Sequence, residues 1–279
     1  MRLLLRTALL MGMLTGSAHA ALEDSVWVYQ LLNDNPDCVT IERRLAETPL
    51  RETVIVSIEG GGFVLDRPNG REQLRCTMAA LHRSGHQVKL LLLQDTLYLA
   101  DDREAVRRMR AVGAFAKQEG GLAGAVVDIE PYLDEEWKSG SAEARRAIAG
   151  RFLHLLRQLR NAARPARLEA AIPWWLSSTV EIPELRPEHL FKAADGFYVM
   201  LYGLGGDAND GLADRIVKRL PPHDPLLQRG RVYLTLATED ELSPEHLHQD
   251  LALLRQRYRG ARGFAGVSVF HAGAAYKGQ

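Results

Sequence analysis

Two carboxylates separated by a single residue, Asp128 and Glu130, end the short apolar run Gly-Ala-Val-Val-Asp-Ile-Glu-Pro that spans Gly124 to Pro131. The run from Gly124 to Ile129 is β-branched and too short for a helix, and Gly120 and Gly121 precede it, so it reads as a buried strand. Side chains two apart in a strand point the same way, which puts both acids on one face where Pro131 stops the strand. Burying one unpaired charge is costly and burying two like charges more so, so a strand with a purely structural role should avoid this pattern. Paired carboxylates at such a position suit general acid chemistry, one holding a proton while its neighbour remains ionised.

Other residues able to act on or hold a substrate fall at the ends of similar runs: Glu59, Asp95, Trp174, Trp175, Tyr202, Glu239 and His271. Carboxylates together with aromatic rings are what sugar chemistry requires. Rings stack on pyranose faces, while carboxyl groups protonate a leaving oxygen and stabilise an oxocarbenium-like transition state.

These residues need a scaffold that brings strand ends together. Strands are expected at Ser25–Leu32, Thr53–Ile58, Gln87–Leu93, Gly124–Ile129, Arg167–Ile172, Gly196–Leu201, Arg231–Leu236 and Phe264–Phe270. Helical patterns separate them, among them Arg71–His82, Asp102–Lys117, Ala142–Ala162 and Pro244–Tyr258. Parallel neighbours need crossover connections, so β-branched runs alternating with helices imply a parallel sheet. Eight such units in about 250 residues point to a closed (β/α)8 TIM barrel of the α/β class, whose active site lies at the carboxyl ends of the strands. No Gly-x-Gly-x-x-Gly follows the first strand, which weighs against a dinucleotide-binding sheet, and no cofactor is expected. Only nine residues follow Phe270, so the last helix is expected to be missing or vestigial.

Composition bounds the setting. A basic start at Arg2 and Arg6, an apolar middle through Leu14 and an Ala-x-Ala end at Ala20 read as a secretory leader over residues 1–20, leaving a single domain over 21–279. A periplasmic or secreted protein is expected, with no later run reaching the roughly 20 apolar residues of a membrane span. Without the leader, 33 basic residues face 35 acidic ones. That near-balance argues against nucleic acid or an anionic membrane as the main partner and favours a neutral oligo- or polysaccharide bound by a monomer. Cys38 and Cys76 are the two cysteines. They are read either as a disulfide, which would close a loop of about 39 residues and add roughly 3 to 4 kcal/mol, or as two buried thiols. Neither their number nor their spacing supports a metal site.

Val-Val-Asp-Ile-Glu on the fourth strand and Tyr-Val-Met-Leu-Tyr on the sixth resemble family 18 of the glycoside hydrolases, the chitinase-like barrels. Their fourth strand ends in Asp-x-Glu and their sixth carries Met-x-Tyr. The resemblance implies Glu130 as general acid, Asp128 as the residue that orients a substrate acetamido group, and Tyr202 as its support. Ser57-Ile58-Glu59-Gly60-Gly61 is similar to the family's Ser-x-Gly-Gly, placed one strand early. The chain departs from the family where Val126 and Ala123 replace auxiliary Asp residues, Gly203 follows Tyr202, and His271 stands about where a Trp is expected.

Glu130-Pro131 and Glu239 also resemble the large retaining clan with a Glu at the ends of strands four and seven, although Ile129 stands where that clan has Asn. That resemblance implies Glu239 as nucleophile, about 5 Å from Glu130. A third alternative is a glycan-binding, lectin-like barrel without turnover, because fold does not fix function.

Overall fold

Each strand is short because both of its faces are buried, the inner against the barrel core and the outer against helices. In the computed structural model, which describes residues 22–202, 211–237 and 244–270, eight strands hydrogen-bond in sequence order and close on themselves. They are β1 (Ser25–Val28), β2 (Thr53–Ser57), β3 (Gln87–Leu92), β4 (Leu122–Val127), β5 (Arg167–Pro173), β6 (Gly196–Met200), β7 (Arg231–Ala237) and β8 (Phe264–Phe270). Every neighbouring pair is parallel, including β1 with β8. This is the expected (β/α)8 barrel. The expected leader, Glu239, His271 and the tail after Phe270 lie outside the described residues.

The described helices are α1 (Cys38–Ala46), α2 (Gly70–Arg83), α3 (Arg103–Glu119), α4 (Glu135–Ser139), α5 (Ala142–Ala163), α6 (Pro187–Ala193), α7 (Leu212–Arg219) and α8 (Pro244–Tyr258). Side-chain acceptors mark several starts: Asp37 takes the Thr40 amide, Ser141 that of Ala144, and Asp134 that of Glu136. Val106, Met109, Val112 and Phe115 of α3 form one fully packed stripe, as their spacing predicts. Cys38 and Cys76 are bonded, with Cα atoms 5.5 Å apart, tying α1 to α2. Of the two readings of the cysteines, the disulfide holds.

The first strand is shorter than its apolar run. Pairing ends at Val28, and a turn takes over in which Asp34 and Asn35 adopt positive φ of 61° and 53°. Leu31 and Leu32 stay buried even so, because Arg44 of α1 donates to the carbonyls of Leu31 and Asn33 and folds the turn onto the core. The barrel closes where the Glu23 amide donates to the Ala265 carbonyl at 2.8 Å. A Cβ at Gly266 would lie 2.3 Å from the Glu23 carbonyl oxygen, so only glycine admits this approach.

Two cores result. One lies between sheet and helices; the other fills the barrel axis with Trp27, Ile55, Leu91, Val126, Ala171, Tyr198, Met200 and Tyr233. Below this axial core sits a polar layer. Lys89 Nζ lies 2.5 Å from Glu169 Oε2 and donates to the hydroxyls of Tyr198 and Tyr233 at 2.9 and 3.2 Å. The Lys89 and Glu169 side chains are 3% and 0% exposed, so each is the other's main substitute for water. Burial pushes the Lys89 ammonium down, and the facing carboxylate opposes that shift.

Candidate active site

Alternation fixes the direction of the two acids. Val126 belongs to the axial core, whereas Val127 and Ile129 belong to the outer core. Asp128 and Glu130, in phase with Val126, therefore turn inward at the carboxyl mouth of the barrel. The Asp128 amide still donates to the Leu93 carbonyl at 3.3 Å, which keeps the extended geometry one residue beyond the paired strand. A 3-10 turn at Pro131–Leu133 then carries the chain away.

Asp128 Oδ1 is buried with no hydrogen-bond partner among the described residues. Burial first, and the charge of Glu130 second, push its carboxyl up to about 7. Burial also raises Glu130, opposed by a hydrogen bond that the Tyr132 hydroxyl donates to it. The pair can thus hold a proton near neutrality, as an acid donor to a leaving oxygen must.

Aromatic residues surround the acids. Burial raises the Tyr29 hydroxyl, followed by the charges of Asp128, Tyr202 and Glu130, so these four groups lie within electrostatic reach of one another. Tyr202 donates to Met200 Sδ at 2.6 Å, and its ring lies 5.6 Å from Phe270, which in turn meets Tyr29 edge-on at 5.3 Å. On the other flank, Trp175 meets Tyr132 edge-on at 5.2 Å. A wall of Tyr29, Phe270 and Tyr202 therefore faces the two acids, and Tyr132 and Trp175 continue the aromatic surface beyond Glu130.

Asp128, Glu130 and Tyr202 come together as their strand positions require, and Trp175 joins them through Tyr132. The bonds of the remaining candidates run elsewhere. The Trp174 ring lies 5.3 Å from the guanidinium of Arg219 on α7, directed at the helical layer. Glu59 pairs with Arg108 of α3 at 2.8 Å and accepts from the Gln94 amide at 3.3 Å. Asp95 accepts from the Leu97 amide at 2.8 Å, capping the 3-10 turn Thr96–Leu99. Tyr29, Tyr132 and Phe270 enter the site with no motif of their own. The clue available to sequence reasoning is that Tyr29 lies two beyond Trp27, Tyr132 two beyond Glu130, and Phe270 ends its strand.

No protein-family profile matches the chain, and no curated protein matches it significantly in sequence. Among solved structures it is similar to the GH5_18 protein from Streptomyces cattleya in complex with GlcNAc, at 14% identity and a TM-score of 0.58, covering 90% of this chain and 71% of that one. It is also similar to a beta-mannanase from the blue mussel Mytilus edulis, at 12% identity and a TM-score of 0.57, covering 90% and 87%. A beta-glucosidase from Thermotoga maritima matches at 8% identity and a TM-score of 0.54, covering 89% of this chain and 87% of that one. At these identities the likeness establishes a shared fold, the (β/α)8 barrel.

Proposed function

We propose that the chain is an exported glycoside hydrolase acting on a neutral or N-acetylated oligo- or polysaccharide. The observation that carries this reading is the inward placement of Asp128 and Glu130, both raised by burial, at the carboxyl mouth of the barrel among Tyr29, Tyr132 and Tyr202. Glycoside hydrolases among the structural neighbours support it, including one holding GlcNAc. The acidic pair and the near-neutral overall charge favour a sugar without carboxylate groups at the point of cleavage.

In the mechanism we favour, Glu130 delivers its proton to the glycosidic oxygen as the bond to the anomeric carbon breaks. The carbonyl oxygen of the substrate's own 2-acetamido group attacks that carbon from the opposite face and forms a cyclic oxazolinium intermediate. Asp128 orients the acetamido group and balances the positive charge that develops on it, and Tyr202 supports the same group. Water then opens the ring, its proton returning to Glu130. Tyr29 and Phe270 provide stacking surface for the sugar.

A second reading, glycan binding without turnover, draws support from Val126. This residue is fully buried beneath Asp128, where the family 18 resemblance places a further carboxylate. Asp128 therefore has no acid below it with which to exchange a proton. Release of reducing ends from a panel of bacterial and N-acetylated polysaccharides, compared with the Glu130→Gln protein, separates the two readings. Release by the parent alone supports hydrolysis, and retention of glycan without release by either protein supports binding.

A further inference from the structure

The opposite mouth of the barrel has a different chemistry. Between the starts of β5, β6 and β7 lies a cavity of about 420 Å³ lined by Arg160, Arg164, Arg167 and Arg231, with Asp195 its single acidic lining residue. Arg160 and Arg164 come from the end of α5 and the turn after it, Arg167 and Arg231 open β5 and β7, and Asp195 immediately precedes β6.

Two of these charges are matched. Arg160 pairs with Asp195 at 2.5 Å, and Arg231 with Glu23 at 2.6 Å. Asp195 also accepts from the Leu168 amide at 3.0 Å, and Arg160 donates to the Lys192 carbonyl at 3.3 Å. The Glu169 carboxylate beneath lies 3.9 Å from Arg231, beyond hydrogen-bond reach, and is already held by Lys89. Arg164 and Arg167 make no side-chain hydrogen bond or ion pair among the described residues, so two positive charges stay uncompensated around the cavity. Arg160 Nε and Arg231 Nε are both buried with no hydrogen-bond partner among those residues. Both N–H groups are shut off from solvent, that of Arg231 facing Glu169 Oε1, so an incoming oxyanion would meet the exposed guanidinium forks of Arg164 and Arg167.

We infer that this N-terminal mouth is a binding site for a tetrahedral oxyanion, a phosphate or sulfate group carried by a small molecule. Guanidinium forks match the paired oxygens of such groups, and convergent arginines in a concave surface concentrate positive potential. The cavity volume lies within the range of small-molecule sites. The site is at the other end of the barrel from Glu130 and is independent of the hydrolytic reading.

The test is isothermal titration of the full chain with inorganic phosphate, sulfate and pyrophosphate in separate runs, with ionic strength balanced by sodium chloride. Saturable binding is expected, weakening steeply as chloride rises. Arg164→Ala/Arg167→Ala should lower affinity by at least about tenfold, with circular dichroism showing an unchanged fold since both side chains are exposed. Arg164→Lys/Arg167→Lys, which keeps the charge and loses the fork, should bind with intermediate affinity. Preference for phosphate or pyrophosphate over sulfate would assign the group to a phosphate ester, and the reverse order to a sulfate ester. Heats no larger than those of the chloride control, or an affinity unchanged in the alanine pair, would overturn the inference.

Discussion

Replacing Asp128 with Asn is expected to stabilise the protein above neutral pH while removing the proposed hydrolytic activity. The carboxyl is pushed from its ordinary 3.8 up to about 7 because folding buries it and sets the Glu130 charge beside it. A pKa raised by folding contributes its stability where the group is protonated in both states, below about pH 4. That contribution is lost as the pH rises through 7. Each unit of displacement is worth about 1.36 kcal/mol, so the ionised carboxylate destabilises the fold by on the order of 4 kcal/mol above pH 7. An asparagine amide must also be desolvated, which leaves an expected gain of roughly 2 to 3 kcal/mol. For a chain of this size that corresponds to a rise in Tm of about 5 to 10 °C. The assay is a set of thermal melts of parent and variant from pH 4 to pH 8.5. The variant should melt below the parent at the acid end by the equivalent of about 1 to 2 kcal/mol, cross it between pH 4 and 7, and lie above it at a constant offset beyond. A difference independent of pH, or destabilisation throughout, would refute the idea that Asp128 carries an uncompensated charge in the folded protein.

Three further outcomes follow from named contacts. Tyr132→Phe removes the hydrogen bond that holds Glu130 down, so the alkaline limb of the kcat/KM profile should move upward by roughly one pH unit; a fixed limb would detach Tyr132 from the acid. Lys89→Met strands the fully buried Glu169 carboxylate and should lower stability by about 3 to 5 kcal/mol in urea unfolding, with Lys89→Met/Glu169→Leu recovering most of the loss. Failure of that double variant to recover would place the loss in packing. Cys38→Ser/Cys76→Ser opens the loop closed by the disulfide and should lower stability by roughly 3 to 4 kcal/mol in the same measurement, whereas an unchanged midpoint would show that the crosslink constrains nothing.

The barrel is legible in the sequence because its strands are doubly buried and therefore read as short apolar runs, Val54 to Val56 and Leu90 to Leu92 among them. The acidic pair is legible for a related reason. The two-residue period holds through Val126, Asp128 and Glu130, and Pro131 marks where it ends. Apolarity alone overextends β1, since Leu31 and Leu32 are buried by the Arg44 clamp and not by strand pairing. Glu59 and Asp95 show the limit of reading strand ends as sites, because whether such a carboxylate stays free depends on what reaches it. Arg108 arrives from a helix 49 residues away to engage Glu59, while the adjoining turn consumes Asp95. Lys89 and Glu169 are charges set among the apolar residues of two strands, 80 residues apart, and only closure of the barrel reveals them as partners. The arginine-lined mouth is hidden in the same way, its members being scattered from Arg160 to Arg231.

The central claim is that Glu130 gives its proton to the leaving oxygen. Its most direct test is the dependence of kcat/KM on leaving-group pKa for aryl glycosides of the accepted sugar, measured for the parent and for Glu130→Gln. The variant should approach parental rates on an activated leaving group such as 2,4-dinitrophenolate, which needs no proton, and fall behind by roughly 10²- to 10⁴-fold as the leaving group becomes more basic. An equal loss across the whole series would contradict a proton-donor role for Glu130.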